Sequence, residues 1–387
     1  MNVLSFSYCF PNQFNPTWGV FVQQRLAALA GQAAVRVVSP QAWFPGSTWR
    51  RGAAGPATED WEGLQVHRPR FLCVPKVLKS FDGRFYSWSL QRWLDRFLAD
   101  WRPDLLDAHF VWPDGVGVAR LAKRAKLPYS ITLRGKIYPC LEIPAQRRLC
   151  TEALRSADVV ISVDPRMAEV AEGLGVAPDR IQIIPNGVDV LRFQPGDRLA
   201  ARRELGLPRD ARLLVTIAHL GQRKGHFETI AALRSLPSDV QLVLVGGGGP
   251  LGGDAERLRA LAEQAGVADR LVIAGKQPHQ RIAKYYHAAD LSVLASWREG
   301  CPNAVLESLA CGTPVVATDV GSVSCMLEDG INGRMVPVRD VDRLSQAIQA
   351  VLDQPPAPDV VRRSPAVRSW EAVAGDVLNT YRKVLGS

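Results

Sequence analysis

Short runs of β-branched and aliphatic residues recur along the chain, each followed by a longer stretch whose apolar positions fall three and four apart. In the first half the runs are "NVLSFS", "VRVVSP", "LQVHRPR", "DLLDAHF", "YSITLR", "DVVISV" and "IQIIPN". In the second they are "RLLVTIA", "QLVLVGGG", "RLVIAG", "LSVLAS", "TPVVATD" and "GRMVPV". Stretches with helical spacing, such as "VFVQQRLAALAG" and "GVARLAKRAK", lie between them. Strand–helix alternation predicts parallel sheets with helices on both faces, and several runs are apolar throughout, as a doubly covered sheet requires. The alternation runs twice. Between the two series, "RFQPGDRLAARRELGLPRD" is polar and punctuated by Pro and Gly, which reads as a boundary near 190–211. The chain therefore reads as α/β with two Rossmann-like domains, residues 1–192 and 211–368, joined by a linker at 193–210. A last amphipathic helix at 369–387 is expected to cross back to the N-terminal domain. Ligands of open parallel sheets bind beyond the carboxyl ends of the strands, so the two sheets are expected to face each other across a deep interdomain cleft.

The bulk numbers narrow the class. A chain of 387 residues with 47% hydrophobic residues can build two ordinary cores and is not disordered. Seven cysteines, at 9, 73, 140, 150, 301, 311 and 325, show no C-x-x-C spacing, which argues for reduced thiols in the cytosol and against a zinc cluster. The opening "MNVLSFSYCF" lacks a basic leader and reads as a first strand. No apolar stretch approaches the roughly 20 residues that span a bilayer. The net charge of +9 is concentrated in residues 66–148, which hold 16 Lys/Arg against 7 Asp/Glu. Trp88, Trp93, Trp101, Phe85 and Phe97 alternate there with Arg84, Arg92, Arg96 and Arg102. That mixture reads either as a solvated basic face over core aromatics or as a surface for anionic partners, such as phosphates or an acidic lipid surface.

The densest candidate chemistry is "REGCPNAVLESLACGTPVV" at 298–316. Gly300 permits a tight turn, Pro302 suits the first position of a helix, and Gly312 suits its stop. A helix from about 302 to 310 would aim the amides of Asn303, Ala304 and Val305 out of its start, where the macrodipole favours phosphate. Glu307 lies one turn deeper on the face of Asn303 and can accept hydrogen bonds from a neutral polyol. Glu299, in the preceding loop, can do the same for another hydroxylated group. Hydroxyls at both ends with phosphate between them describe a nucleotide sugar. The bland alternative is a surface acid at 299 and an ordinary helix residue at 307. "VGGGGP" at 245–250 does not reproduce G-x-G-x-x-G and reads as a flexible loop beside the cleft, and Asp290 reads as a helix end.

"SWREGCPNAVLESLACGTPVVATDVGS" resembles the signature of the family 4 retaining glycosyltransferases, the glycosyl transferases group 1, which have the two-Rossmann GT-B fold. Supporting similarity lies in "FPNQFNPTWGVFVQQRLAAL" (10–29), "DLLDAHFVWPDGVGVARLAKRAKLPYSITLRG" (104–135), "IIPNGVDVLRF" (183–193) and "GQRKGH" (221–226). The resemblance implies catalytic roles for His109, which would contact the sugar from the acceptor side, for Lys224 at the donor diphosphate, and for Glu299 at the transferred sugar. It implies donor contacts at Gly19, Gly300, Asn303, Ala304 and Val305, with Glu307 on the ribose. It places the nucleobase against the backbone around Lys276 and Gln277. Aligning on Lys224–Gly225 puts His219 where the family usually has an arginine, so either His219 or the neighbouring Arg223 would supply that group. Arg134 stands where the family often has histidine and would read an anionic group; with Asn15 and Trp18 it is an acceptor-side candidate.

The function so implied is a retaining, hexosyl-type transfer from a nucleoside diphosphate sugar, UDP- or GDP-linked, to a hydroxyl acceptor in envelope polysaccharide or glycolipid synthesis. No cofactor and no metal are expected, because Lys224 and the helix dipole take the place of Mg²⁺. The expected location is the cytoplasm, peripheral at the inner face of the cell membrane if residues 66–148 bind it, and no nucleic-acid partner is expected. Sugar, base, acceptor, linkage and oligomeric state are not legible. Two other readings stay open: a nucleotide-sugar epimerase or glycosyl phosphorylase of the same fold, and a non-catalytic two-domain binding protein.

Overall fold

The computed structural model describes residues 1–44, 56–74, 78–248 and 254–386. It divides into two compact units. One holds Met1–Asn186 with Trp370–Ser387, and the other holds Gly187–Ser369.

The first unit carries β1 (Asn2–Phe6), β2 (Ala34–Val38), β3 (Gln41–Trp43), β4 (Thr58–Trp61), β5 (Leu64–His67), β6 (Arg70–Leu72), β7 (Leu105–His109), β8 (Tyr129–Leu133), β9 (Val159–Ser162) and β10 (Ile181–Ile183). Eight of these form one sheet in the order β10-β9-β8-β7-β1-β2-β5-β4, and β3 pairs with β6 separately. Every pair in the large sheet is parallel except β4 on β5. The pattern of apolar runs predicts seven of the ten strands; β3, β4 and β6 are short strands that it misses. The helix Val20–Ala30 and the C-terminal helix Trp370–Leu385 bury Val22, Leu26, Leu29, Trp370, Val377 and Tyr381 in one cluster against the sheet, so the last helix belongs to this unit.

The second unit carries β11 (Arg212–Ile217), β12 (Val240–Val245), β13 (Leu271–Gly275), β14 (Leu291–Leu294), β15 (Val315–Thr318) and β16 (Gly333–Val336). Their order, β13-β12-β11-β14-β15-β16, is the doubly wound arrangement with its reversal between β11 and β14. All pairs are parallel, and separate apolar clusters cover the two faces. Helices on both faces explain why these strands read as uninterrupted apolar runs.

The segment expected as a linker, 193–210, is part of this second unit. Phe193 is 1% exposed in its core, and Arg198–Leu205 is a helix. The polarity of the segment misleads because Arg202 is buried, with its guanidinium satisfied by the carbonyls of Ala288, Arg209 and Ala211 and by Asp290. Asp290 also accepts the Leu213 amide at 2.7 Å, so it follows the helix His279–Ala288 as a structural group. Of "VGGGGP", Gly246 and Gly247 are tied to the backbone, Gly246 N–H to the Gly275 carbonyl and the Gly247 carbonyl to Leu220 N–H, each at 2.9 Å. Residues 249–250 lie outside the described residues.

Candidate active site

In the second unit the strand reversal brings together two loops, 218–225 after β11 and 295–302 after β14. Gly225, at φ +73°, makes their approach close: a Cβ there would lie 1.9 Å from the Ala295 carbonyl oxygen. The Trp297 amide then donates to the Arg223 carbonyl at 2.9 Å. The result is an ion pair 75 residues apart in sequence, Lys224 Nζ to Glu299 Oε1 at 2.6 Å, with the Ser296 hydroxyl donating to the same oxygen at 2.7 Å. Both side chains are partly exposed, 21% and 12%. A lysine has three donors, so one N–H can hold Glu299 while others face a ligand.

Around this pair the charge is positive. His219 is pushed below its ordinary pKa by burial and then by the charges of Lys224, Lys276 and Arg223, so it stays neutral near pH 7. Its carbonyl accepts from the His226 imidazole Nε2 at 3.0 Å. Of His219, which aligns with the family arginine, and its neighbour Arg223, it is Arg223 that carries a positive charge there. Gln277 turns its side-chain amide onto the Ala274 carbonyl at 2.7 Å and fixes the end of β13.

The helix Asn303–Ala310 begins one residue later than expected, with Pro302 as its extended N-cap at ψ 102°. The Val305 amide bonds back to the Pro302 carbonyl at 3.0 Å, so it is not aimed outward as the sequence reading supposes. The reason is the tight first turn that Pro302 sets. Gly300 holds this start in place, its carbonyl accepting from the Ser322 amide at 2.8 Å. Glu307 sits on the first full turn. Its Oε2 lies 3.2 Å from the Tyr286 hydroxyl, which is also 3.0 Å from the Ala304 carbonyl. Burial raises the Tyr286 phenol well above its ordinary pKa, with Glu307 adding to the effect, so it remains a donor. His279 Nε2 is 3.8 Å from Glu307 Oε1. No spacing in the sequence links Tyr286 and His279 to residue 307; only the packing of two helices brings them there.

In the first unit, His109 ends β7, but its ring is fully buried. Its Nε2 lies 3.0 Å from Asp107 Oδ2, off the line of the N–H bond, and its Nδ1 is 3.5 Å from Arg134 Nη2. Burial pushes the imidazole pKa down to about 4, Asp107 opposing and Arg134 and Arg25 adding to the effect. Burial alone would raise Asp107; His109, Arg25 and the Ser5 hydroxyl outweigh it and hold the carboxyl below the usual range. Asp107 accepts from Ser5 and Ser130 at 2.7 and 2.8 Å, and Ser130 also touches the Tyr381 hydroxyl at 3.2 Å. Arg134 is 5% exposed, bonded to Asn186 Oδ1 at 3.0 Å and placed 4.7 Å from the Phe21 ring. His109 and Arg134 are thus members of one buried network, and a direct ligand contact by either would need that network to move.

Gly19 has a structural reason of its own: at φ +77° a Cβ would lie 2.2 Å from the Cys9 carbonyl oxygen. Trp18 packs edge-on to Tyr8 at 5.7 Å, and Asn15 closes a turn with Asn12. In the basic region most of the aromatics pack on one another. Trp93 stacks on Phe97 at 5.0 Å, and Arg36 lies 4.7 Å from the Trp101 ring. Trp88 alone among the three tryptophans is largely exposed, at 70%, on a groove of about 650 Å³ also lined by Arg84, Arg120, Lys123 and Arg124. Among the described residues no helix is long and apolar enough to cross a membrane.

Comparison with known proteins gives the family of the chain. Residues 18–187 match the glycosyl transferase 4-like domain, and residues 197–365 match glycosyl transferases group 1. A Bacillus subtilis (strain 168) protein named as a teichuronic acid biosynthesis glycosyltransferase, TuaC, is 32% identical over 340 residues, which cover 84% of this chain and 83% of that protein. The D-inositol 3-phosphate glycosyltransferase of Acidothermus cellulolyticus is 35% identical over 247 residues, but these span only 55% of its length. Among solved structures, the sucrose-phosphate synthase of Thermosynechococcus elongatus superposes with a TM-score of 0.80 at 23% identity, covering 100% of both chains. Anabaena HepE in complex with UDP and glucose gives a TM-score of 0.74 at 17% identity, covering 100% of this chain and 98% of that one. Both halves of the chain match, a relative aligns across most of its length, and the two sheets are those of the GT-B fold: the protein belongs to the group 1 glycosyltransferases.

Proposed function

We propose that this glycosyltransferase moves a hexosyl group from a nucleoside diphosphate sugar to a hydroxyl acceptor with retention of anomeric configuration. The observation that carries the reading is the Lys224–Glu299 pair at the strand reversal, with the Asn303–Ala310 helix start and Glu307 beside it. Breaking a glycosyl–phosphate bond builds negative charge on the leaving diphosphate, so the main demand is preorganised positive potential. Lys224, Arg223 and the first helix amides, those of Asn303 and Ala304, supply it. This charge does the work a divalent metal would do, and the reading needs no cofactor. Glu299 takes a hydroxyl of the sugar and Glu307 takes the ribose. A leaving phosphate oxygen receives the acceptor proton on the face from which the sugar departs, which keeps the configuration. Nucleoside diphosphates bound to neighbours of the same fold, UDP in HepE and ADP in a starch synthase, support the donor class.

The acceptor falls to the first unit. Relatives named for teichuronic acid and for D-inositol 3-phosphate support an envelope polysaccharide or a phosphorylated polyol as the acceptor. The exposed Trp88 with its four neighbouring cations supports a peripheral position on the anionic inner face of the cell membrane. One set of measurements tests the reading. Thermal shifts with UDP, GDP and ADP should show one stabilising ligand, worth about 2.7 kcal/mol at a hundred times its Kd. The matching sugar nucleotide should release its diphosphate only when an acceptor is present, and anionic vesicles should sediment the protein at low salt. No stabilisation by any of the three diphosphates would reject the donor site. Release without acceptor would favour epimerase or hydrolase chemistry, and no sedimentation would reject the membrane surface.

A further inference from the structure

Beside Glu307 the second unit holds a chain of polar groups that the donor reading leaves unused. Asp189 Oδ1 accepts the amides of Leu191 and Arg192 at 3.2 and 3.0 Å, and its other oxygen lies 3.5 Å from Arg192 Nε. Arg192 hydrogen-bonds in turn to Nδ1 of His279. A guanidinium has donors and no acceptor, so Nδ1 must accept and the imidazole proton must sit on Nε2. The His279 ring is held edge-on by Phe193, with centroids 5.7 Å apart and planes at 74°. Its Nε2–H faces Glu307 Oε1 across 3.8 Å, too far for a hydrogen bond. The other carboxylate oxygen is anchored by Tyr286. A fixed donor and a fixed acceptor thus stand a little more than one hydrogen-bond length apart, and both side chains are partly exposed, 24% and 15%.

We infer that His279 and Glu307 form a two-point clamp for vicinal hydroxyls, Glu307 Oε1 accepting from the diol and His279 Nε2 donating to it, with Arg192 setting the tautomer that makes His279 a donor. The inference rests on the reading of Glu307 as the ribose acid and names a partner for it. The clamp discriminates ribose from deoxyribose from both sides: a sugar lacking the hydroxyls leaves a carboxylate and an N–H facing each other without contact.

The test measures Kd for whichever of UDP, GDP and ADP binds best, and for its 2′,3′-dideoxy counterpart. The wild-type protein should prefer the ribonucleotide by roughly a hundredfold, with two or more hydrogen bonds at stake. His279→Ala should weaken the ribonucleotide by about tenfold, the upper end for one hydrogen bond, and leave the dideoxy compound unchanged. His279→Gln, which keeps an N–H donor at similar reach, should restore most of the preference. Arg192→Leu should lose preference in the same direction as His279→Ala, because both tautomers become populated, and Arg192→Lys should recover it. Equal weakening of both ligands in His279→Ala would mean a packing role and would overturn the clamp, as would an unchanged preference, while ribonucleotide binding by the wild-type protein would keep the donor reading intact. If none of the three diphosphates binds the wild-type protein, the donor reading falls and the clamp with it.

Discussion

Each unit gathers charge at the carboxyl edge of its sheet, but the two gatherings are built in opposite ways. In the first, Asp107 and His109 lie within β7 itself and have at most 1% of their side chains exposed. Ser5, Ser130, Arg25 and Tyr381 close around them from other strands and from both flanking helices. In the second, Lys224 and Glu299 lie on loops past the strand ends and keep 21% and 12% of their surface. Buried charges are costly unless every partner is present, and once satisfied they hold one arrangement. Charges on exposed loops give little to stability and remain able to exchange partners. The fold therefore offers the same topological position twice, and the chain fills it once with a closed, buried network and once with a partly exposed ion pair that the proposed function assigns to the donor.

Breaking the buried pair should have the largest effect on the fold. Asp107→Ala leaves the Ser5 and Ser130 hydroxyls without their acceptor and the buried Arg25 without its opposite charge, and should cost about 3–5 kcal/mol. Urea unfolding followed by tryptophan fluorescence measures it, and a loss under 1 kcal/mol would mean that the network does not hold the first unit together. Lys224→Ala sharpens the contrast from the other side. It should lower turnover by roughly a hundred- to a thousandfold, the range for losing one preorganised group at a developing charge. The urea midpoint should move little, because the removed cation belongs to a partly exposed pair. Unfolding as severe as that of Asp107→Ala would contradict the contrast.

The same contrast explains what was legible in the sequence. Thirteen strands announce themselves as apolar runs because helices cover both faces of each sheet, whereas β3, β4 and β6, short strands with exposed or half-exposed positions, carry no such signal. The loops after β11 and β14 were legible because glycine, proline and helix-start residues constrain the backbone locally. His279 was silent: its meaning comes from Arg192, 87 residues away, and from the turn of Glu307. Phe193 and Arg202 fall in a segment that reads as linker because polarity and proline mark a surface only when no buried acceptor waits for the charge, and Asp290 waits for Arg202. His109 was legible as a polar residue at a strand end, but whether such a residue faces ligand or core depends on Asp107 and Arg134, which the alternation of the chain does not order.

A smaller and more selective effect should appear with pH. His109 titrates near 4 in the folded protein because burial disfavours its charged form, whereas an unfolded histidine titrates near 6.5. Between those values the unfolded chain binds a proton that the native state refuses, so stability falls as pH drops through the window, by up to about 1.4 kcal/mol per unit. Asp107 is held below the usual carboxylate range, so its contribution is present above the unfolded value near 3.9 and is lost in turn as pH falls further. Buried Asp114, with its carboxyl pushed well up by burial, works in the opposite direction, and the raw profile of the protein mixes all three. His109→Asn isolates the imidazole, since asparagine has nothing to titrate. The difference in unfolding free energy between wild type and variant should shrink from pH 7 to pH 4.5 and be flat from 7 to 8.5. A difference constant across the acid window would mean that His109 takes up its proton while folded, and the first unit would then hold its histidine as loosely as the second holds its lysine.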